Sequence, residues 1–136
     1  MGNREQIEEW MTETNIKILT IQETKSQNDS KETRCDYTCF FSSTNKTCNT
    51  FRKEAGVAVI IHSSMIKHII EVIPWTDRII SVTLKAAMPV TFIGVYAVPA
   101  RRPGQPQQET DAEQYHLYDT LQKVFDTHIR RHERKT

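Results

Sequence analysis

A polar cluster suited to binding a metal ion directly follows an apolar segment near the amino terminus. Residues 16–21 read Ile-Lys-Ile-Leu-Thr-Ile, and the next four are Gln22, Glu23, Thr24 and Lys25. A carboxylate just past a buried strand is held by rigid backbone at the rim of a cleft, where open α/β sheets build their sites. Mg²⁺ takes one or two such carboxylates together with water and substrate phosphate. Glu23 is therefore the first candidate metal ligand, and position alone fits an ordinary solvated loop acid equally well.

Three cations are candidates for binding a phosphate group. Lys25 lies two residues beyond Glu23 and suits either a phosphate or Glu23 itself as its partner. Arg101 and Arg102 lie in a proline-containing loop, and the guanidinium fork matches phosphate geometry. The two arginines fit the simpler interpretation of ordinary solvated loop charges equally well.

The cysteines and histidines offer a weaker case for chemistry. Cys35 and Cys39 are separated by three residues, and Cys48 and His62 would have to complete a tetrahedral zinc site. This spacing matches no strong zinc signature, and three cysteines are too few for a disulfide framework. We expect reduced thiols and structural or surface roles for the histidines, which are His62, His68, His116, His128 and His132.

Length and charge restrict the class of protein. The 136 residues, 38% hydrophobic and 26% charged, predict one globular domain spanning residues 1–136. Eighteen Lys and Arg against seventeen Asp and Glu give a net charge of +1, so overall charge does not argue for nucleic-acid binding. The charged amino terminus shows no secretory signal, and no segment reads as membrane-spanning. We expect a nuclear or cytoplasmic protein that is not secreted and does not contact a membrane.

The first half of the chain predicts one helix, one buried strand and long loops. Apolar residues at helical spacing among glutamates predict a helix over residues 4–11. The nearly continuous apolar run at 16–21 predicts a strand buried on both faces. Residues 26–38 and 45–53 are polar and predict exposed loops, with a short strand at 39–41 between them.

The second half predicts strands and then a helix. Four apolar runs, at 56–62, 66–73, 78–84 and 90–96, predict a meander in which successive strands are neighbours. After a loop at 99–106, the capping-box spacing that begins at Thr110 predicts a helix reaching about residue 132. Its predicted apolar stripe is Tyr118, Leu121, Val124, Phe125 and Ile129.

Basic residues gather at the end of this helix, where cations offset the negative end of the helix dipole. We favour this interpretation over a phosphate-binding role, because such charge runs are usually solvated. The residues are Arg130, Arg131, Arg134 and Lys135.

Three segments in a fixed order resemble the endonuclease/exonuclease/phosphatase family. They are Ile18-Leu19-Thr20-Ile21-Gln22-Glu23-Thr24-Lys25, Lys53-Glu54-Ala55-Gly56-Val57-Ala58-Val59-Ile60 and Thr91-Phe92-Ile93-Gly94-Val95-Tyr96-Ala97. More narrowly, the chain is similar to the apurinic-type endonuclease domain of non-LTR retrotransposons. That domain has a strand ending in Gln-Glu-Thr, a Gly-Val-Ala strand, an arginine-led strand and an Asn-Ile-Tyr-Ala-Pro strand. The resemblance covers almost the whole chain, with Gly94 at the position of the family's asparagine.

The resemblance implies a fold and a site. The fold would be an incomplete two-layered α/β sandwich of the DNase I-like type, mostly antiparallel, with helices on its outer side. Glu23 would bind the catalytic Mg²⁺ or Mn²⁺, and the Tyr96 hydroxyl would donate to a phosphate oxygen of DNA. The family's initial asparagine strand, its Gly-Asp-x-Asn motif and its Asp-His pair do not occur in these residues. The resemblance therefore implies a fragment truncated at both ends, weak or inactive as an enzyme and prone to self-association through unpaired strand edges.

Two other functions remain open at this point. One is a non-catalytic remnant that binds nucleic acid or protein through Arg101, Arg102 and the basic carboxyl end. The other keeps the family and changes the substrate to a phosphoinositide or sphingolipid phosphodiester.

Overall fold

A computed structural model describes residues 4–24, 29–42, 56–97 and 107–134 of the chain. The chain divides into two compact units, Met1–Tyr96 and Ala97–Thr136. The elements, in chain order, are α1 (Arg4–Thr14), β1 (Ile18–Gln22), β2 (Ser30–Arg34), β3 (Tyr37–Ser42), β4 (Val57–His62), α2 (Ser63–Ile66), β5 (Ile69–Thr76), β6 (Ile79–Leu84), β7 (Val90–Val95) and α3 (Gln107–Arg134).

The strands form two antiparallel sheets, so the fold is mixed α/β. The first sheet has the order β1-β4-β3-β2, and the second has the order β5-β6-β7. In the first sheet, Val59 lies opposite Thr20 of β1 on one side and Phe40 of β3 on the other. In the second sheet, Val82 lies between Val72 of β5 and Phe92 of β7.

Strand β4 is buried on both faces and joins the layers of the first unit. Its even-numbered residues Ala58 and Ile60 belong to a cluster that includes Met11 of α1. Its odd-numbered residues belong to a second cluster shared with β6, because successive side chains of a strand point to opposite faces. The members from β4 and β6 are Val57, Val59, Ile61, Ile80, Val82 and Leu84. The layers are therefore α1, the first sheet and the second sheet.

Gly94 of β7 lies where the second sheet packs closely against β1 of the first sheet. A Cβ added there would lie 3.1 Å from Thr20 Cγ2 of β1 and 3.2 Å from Ile80 Cγ2 of β6. Both distances are shorter than ordinary van der Waals contact. Gly94 thus has a packing role, and a larger residue at this position would push β7 away from β1.

Two of the predicted elements in the first half are wrong. The loop expected over 26–38 contains β2 and the start of β3, joined at a turn where Cys35 has a left-handed φ of 51°. All five β2 residues are exposed, so this edge strand carries no apolar alternation. The strand expected to be buried on both faces is β1, which is half-buried with Thr20 and Gln22 exposed. It lies at the end of its sheet as described, with β4 beside it.

The predicted four-strand meander is also wrong, because its first strand, β4, belongs to the other sheet. Strands β5, β6 and β7 form a meander, but β4 pairs with β1 and β3 in the other sheet. The short helix α2 separates β4 from β5, and His62 Nδ1 accepts a hydrogen bond from the Ser64 amide at its start. The break occurs because β4 already has a strand on each side.

Helix α3 is the element described in the second unit, and it is longer than predicted. It begins at Gln107, so Thr110 lies inside the helix and is not its N-cap. Gln107 Nε2 donates to Asp111 Oδ1 at 2.8 Å. The predicted apolar stripe divides in two, because Val124 is buried and Leu121 partly buried, whereas Tyr118, Phe125 and Ile129 are exposed. No helix within the described ranges is long and apolar enough to span a membrane.

A buried arginine ties α1 to the first sheet. Arg4 Nε donates to Glu8 Oε1 at 2.8 Å, and both side chains are over nine-tenths buried. Its remaining guanidinium nitrogens donate to Glu32 Oε2 at 3.0 Å, to the Glu32 carbonyl at 2.9 Å and to the Tyr37 carbonyl at 3.3 Å. The guanidinium thus connects α1 with β2 and β3.

We expect Arg4→Met to lower the free energy of unfolding by about 3–5 kcal/mol, because Glu8 would remain as an uncompensated buried charge. The matched control is Arg34→Met, whose exposed pair with Glu5 spans 3.3 Å. It should cost less than about 1 kcal/mol, as exposed ion pairs do. Urea unfolding measures both. Equal losses in the two variants would show that the Arg4 network does not hold α1.

The thiol of Cys39 lies in the cluster between α1 and the first sheet. Burial, partly offset by the charge of Arg4, raises the pKa of Cys39 to about 12. The folded protein therefore keeps this thiol protonated where an unfolded chain ionises it. Cys48, another member of the zinc arrangement considered from the sequence, lies outside the described residues, so that arrangement stays a prediction.

This difference in pKa predicts a stability that falls with rising pH. Above about pH 8.5, where a free thiol ionises, the unfolded state binds fewer protons, and each further pH unit costs up to about 1.4 kcal/mol. Urea unfolding of wild type and Cys39→Val between pH 8 and 10 isolates this contribution, because other groups titrate alike in both. Parallel stability curves would contradict the assignment.

Candidate functional site

Glu23 and Tyr96, which are 73 positions apart, meet at one end of the sandwich. Glu23 follows β1 and Tyr96 follows β7, and the Tyr96 hydroxyl donates to Glu23 Oε1 at 2.5 Å. This distance is typical of a hydroxyl donating to an ionised carboxylate. Glu23 is exposed and Tyr96 is half-buried, so the carboxylate is accessible to solvent while the tyrosine ring packs partly against the protein. The structure brings together these two sequence-predicted residues.

The backbone of Glu23 has an uncommon conformation. Its φ is 57°, in the left-handed region that residues other than glycine seldom occupy. The next residue, Thr24, is buried, and its amide donates to the Gly56 carbonyl at 3.1 Å. Turning the chain at Glu23 thus presents the carboxylate to solvent while the following amide is anchored. Conformations of this kind concentrate at functional sites.

Gly56 links this turn to the second sheet. Its φ of 112° is one that side-chain-bearing residues rarely adopt, which explains the glycine before the apolar run of β4. Its amide donates to the Asp77 carbonyl at 2.9 Å. Gln22 makes a further link, donating from Nε2 to the Val95 carbonyl at 2.8 Å. Hydrogen bonds therefore connect four chain segments at this end of the first unit. They are the end of β1, the start of β4, the β5–β6 turn and the end of β7.

Arg78 contacts both the ring and the backbone of Tyr96. The Arg78 guanidinium carbon lies 4.6 Å from the centre of the Tyr96 ring, and its Nη1 donates to the Tyr96 carbonyl at 3.0 Å. The Tyr96 amide in turn donates to the Arg78 carbonyl at 2.8 Å. Arg78 is 7% exposed, so its charge acts on the ring from the protein side. A guanidinium over an aromatic ring is attracted electrostatically by the negative face of the ring.

The sequence signal for Arg78 is its position at the start of the apolar run over residues 78–84, which by itself indicates no functional role. An arginine at the start of an apolar strand was part of the family resemblance, but an isolated arginine otherwise resembles a surface charge. Its position becomes clear once β6 and β7 are paired, because Ile79 then lies opposite Val95. Arg78 and Tyr96 consequently flank the last residue pair of this ladder.

The other predicted site residues fall outside the described ranges. These are Lys25, Arg101 and Arg102, so their part in the site remains a prediction. Within those ranges, no three side chains of His, Cys, Asp or Glu converge in a way that could hold a metal ion. A cation at this end would use the Glu23 carboxylate with water and substrate oxygens. Such a ligand set fits Mg²⁺, which usually keeps several waters.

Comparison with known proteins identifies no relative: no family model, curated protein or solved structure matches the chain.

We expect Arg78 and Tyr96 to differ in what they contribute to stability. Tyr96→Phe removes one hydroxyl at an exposed hydrogen bond and should cost less than about 1 kcal/mol. Arg78→Lys keeps a charge but loses the guanidinium contact with the Tyr96 ring and the hydrogen bond from Nη1 to the Tyr96 carbonyl. It should cost about 1–3 kcal/mol, because a buried charge loses a hydrogen bond. Urea unfolding compares the two variants. A smaller cost for Arg78→Lys than for Tyr96→Phe would contradict the supporting role of Arg78.

Proposed function

We propose that the chain carries a metal-dependent phosphodiesterase site of the endonuclease/exonuclease/phosphatase type on a DNase I-like sandwich. Its origin would be the endonuclease domain of a non-LTR retrotransposon, and its substrate the phosphodiester backbone of DNA. The observation that carries the proposal is the contact between Glu23 and Tyr96 at adjoining strand ends. Two face-to-face antiparallel sheets with α1 outside are compatible with that fold.

Each residue has a defined task under this proposal. Glu23 binds Mg²⁺ or Mn²⁺, which when bound polarises a phosphoryl oxygen and offsets the charge that develops there. Tyr96 donates its hydroxyl hydrogen to a phosphate oxygen, and Arg78 keeps the ring in place. Lys25, Arg101 and Arg102 are the proposed contacts to neighbouring phosphates.

The contact between Tyr96 and Glu23 sets a condition on these tasks. A tyrosine hydroxyl has one hydrogen to donate, and here Glu23 receives it. Donation to phosphate therefore requires the Tyr96 hydroxyl to leave Glu23. A cation bound to the Glu23 carboxylate would favour that exchange, so we propose that cation binding and release of the hydroxyl are coupled.

Cleavage needs more than these residues. Positioning of the attacking water and the leaving group accounts for most of catalysis at such a site. The Gly-Asp-x-Asn and Asp-His motifs of the resembled family do not occur in these 136 residues. We accordingly propose weak or no cleavage by this chain alone, with the cation site and DNA contact retained. We also propose a nuclear or cytoplasmic location, as expected from the charged amino terminus.

We expect Mn²⁺ titration, followed by electron paramagnetic resonance of the free ion, to show a site that depends on Glu23. Glu23→Gln should weaken binding at least about tenfold, the equivalent of about 1.4 kcal/mol. Tyr96→Phe should retain binding, since it frees the carboxylate. Glu13→Gln, an exposed acid on α1, is the matched control and should leave binding unchanged. Binding that is absent in wild type or unaffected by Glu23→Gln would overturn the proposal.

Nicking of supercoiled plasmid with Mg²⁺ then separates an enzyme from a non-catalytic remnant. Nicking by wild type that is lost in Glu23→Ala indicates an endonuclease. Cation binding without nicking in either protein favours the nucleic-acid or protein-binding remnant. Hydrolysis of a phosphoinositide or sphingolipid without DNA nicking would indicate that the substrate is a lipid phosphodiester and not DNA.

A further inference from the structure

Helix α3 carries an apolar stripe that is exposed along its length. The side chains of Tyr115, Tyr118, Phe125 and Ile129 are between 44% and 74% exposed. With Gln122 they are spaced 3, 4, 3 and 4 residues apart, the heptad spacing that places residues on one seam of a helix. The buried residues Leu117 and Val124 have the same seven-residue spacing on a different face. The exposed stripe therefore lies on a different face of α3 from Leu117 and Val124.

The charges of α3 are distributed unevenly along its axis. The first half, residues 107–120, has four acids and no Lys or Arg. The second half, residues 121–134, has four basic residues and two acids, Asp126 and Glu133. An identical helix running in the opposite direction would place the acidic half of each copy beside the basic half of the other. The positive end of each helix dipole would also lie beside the negative end of the other, which is favourable. A parallel copy would place like charges level with each other. The charge pattern therefore favours an antiparallel arrangement of two copies.

The acids nearest the stripe are compatible with this pairing. Asp119 is paired with Lys123 Nζ at 3.2 Å within its own helix. Asp126 accepts a hydrogen bond from Gln122 Nε2 at 3.0 Å. Both carboxylates thus have partners before a second helix approaches.

We propose that this stripe, comprising Tyr115, Tyr118, Gln122, Phe125 and Ile129, is a homodimer interface that pairs α3 with an antiparallel copy of itself. Gln122 is the middle residue of the stripe, so the two-fold axis passes beside it. Tyr115 of one copy then lies level with Ile129 of the other, and Tyr118 lies near Phe125. The same patch serves both copies, which is the usual form of a two-fold interface. The proposal is independent of the phosphodiesterase site.

Sedimentation velocity of the full chain tests the interface with two matched substitutions. Phe125→Glu places a charge in the stripe and should weaken dimerisation at least about tenfold, because central aromatic residues carry most of the energy of an interface. Phe92→Glu alters a phenylalanine of similar exposure, 39%, on β7 at the end of its sheet as described, and should leave the dimer intact. Circular dichroism verifies that both variants are folded.

The alternative outcomes overturn the proposal. A monomeric wild type at all accessible concentrations excludes the interface. A dimer weakened by Phe92→Glu and not by Phe125→Glu would assign self-association to the strand edge, as the sequence resemblance implied.

The direction of pairing is tested by spin labels at His116 and Lys123, which lie on the same exposed flank. With the two-fold axis at Gln122, the axial separation of the two labels is about 3 Å at position 123 and about 18 Å at position 116, from a rise of 1.5 Å per residue. The labelled cysteines are placed in a chain whose three native cysteines are replaced by alanine. Similar separations at the two positions would indicate a parallel pair and contradict the proposed arrangement.

Discussion

The burial of β4 on both faces is the constraint on which the rest of the first unit depends. Residues Val57 to Ile61 pair with β1 and β3, while their side chains pack alternately against the cluster that includes α1 and against the second sheet. A polar side chain in this strand would therefore disrupt one of two different apolar clusters. Because β4 fixes the first sheet against the second, it also fixes the distance between the strand ends that carry Glu23 and Tyr96.

The candidate site depends on backbone hydrogen bonds that connect the two sheets at one end. Gly56 precedes β4 and bridges the turn after β1 to the turn between β5 and β6 through backbone hydrogen bonds. Glu23 and Tyr96 extend from the same set of turns, and Arg78 supports the tyrosine ring. A carboxylate, a hydroxyl and a guanidinium are thus held by backbone contacts from both sheets. This is the rigidity that a site for positioning a cation and a phosphate requires.

Sequence reasoning located much of this fold where side-chain patterns are strong. The apolar runs identified β4, β6 and β7 to within one or two residues, and helical spacing identified α1 and α3. It missed β2 because the strand Ser-Lys-Glu-Thr-Arg is fully exposed and carries no alternation. It placed β4 in the same meander as β5, since sheet membership depends on long-range pairing that local patterns do not encode. The buried Arg4–Glu8 pair was also missed, because charged residues on a helix ordinarily face water.

The candidate site was predictable only in part, because its residues come together through long-range strand pairing. Position at a strand end identified Glu23 from the residues alone, whereas Tyr96 was selected through the family resemblance, and their contact could not be predicted before β1 and β7 were placed on facing sheets. Arg78 required the pairing of β6 with β7. Paramagnetic broadening of backbone amide signals by substoichiometric Mn²⁺ tests the central claim most directly. The account predicts that broadening is centred on Glu23 and Thr24 and extends to Tyr96 across the gap between the sheets. Broadening centred on α1 or α3, with these amides unaffected, would contradict it.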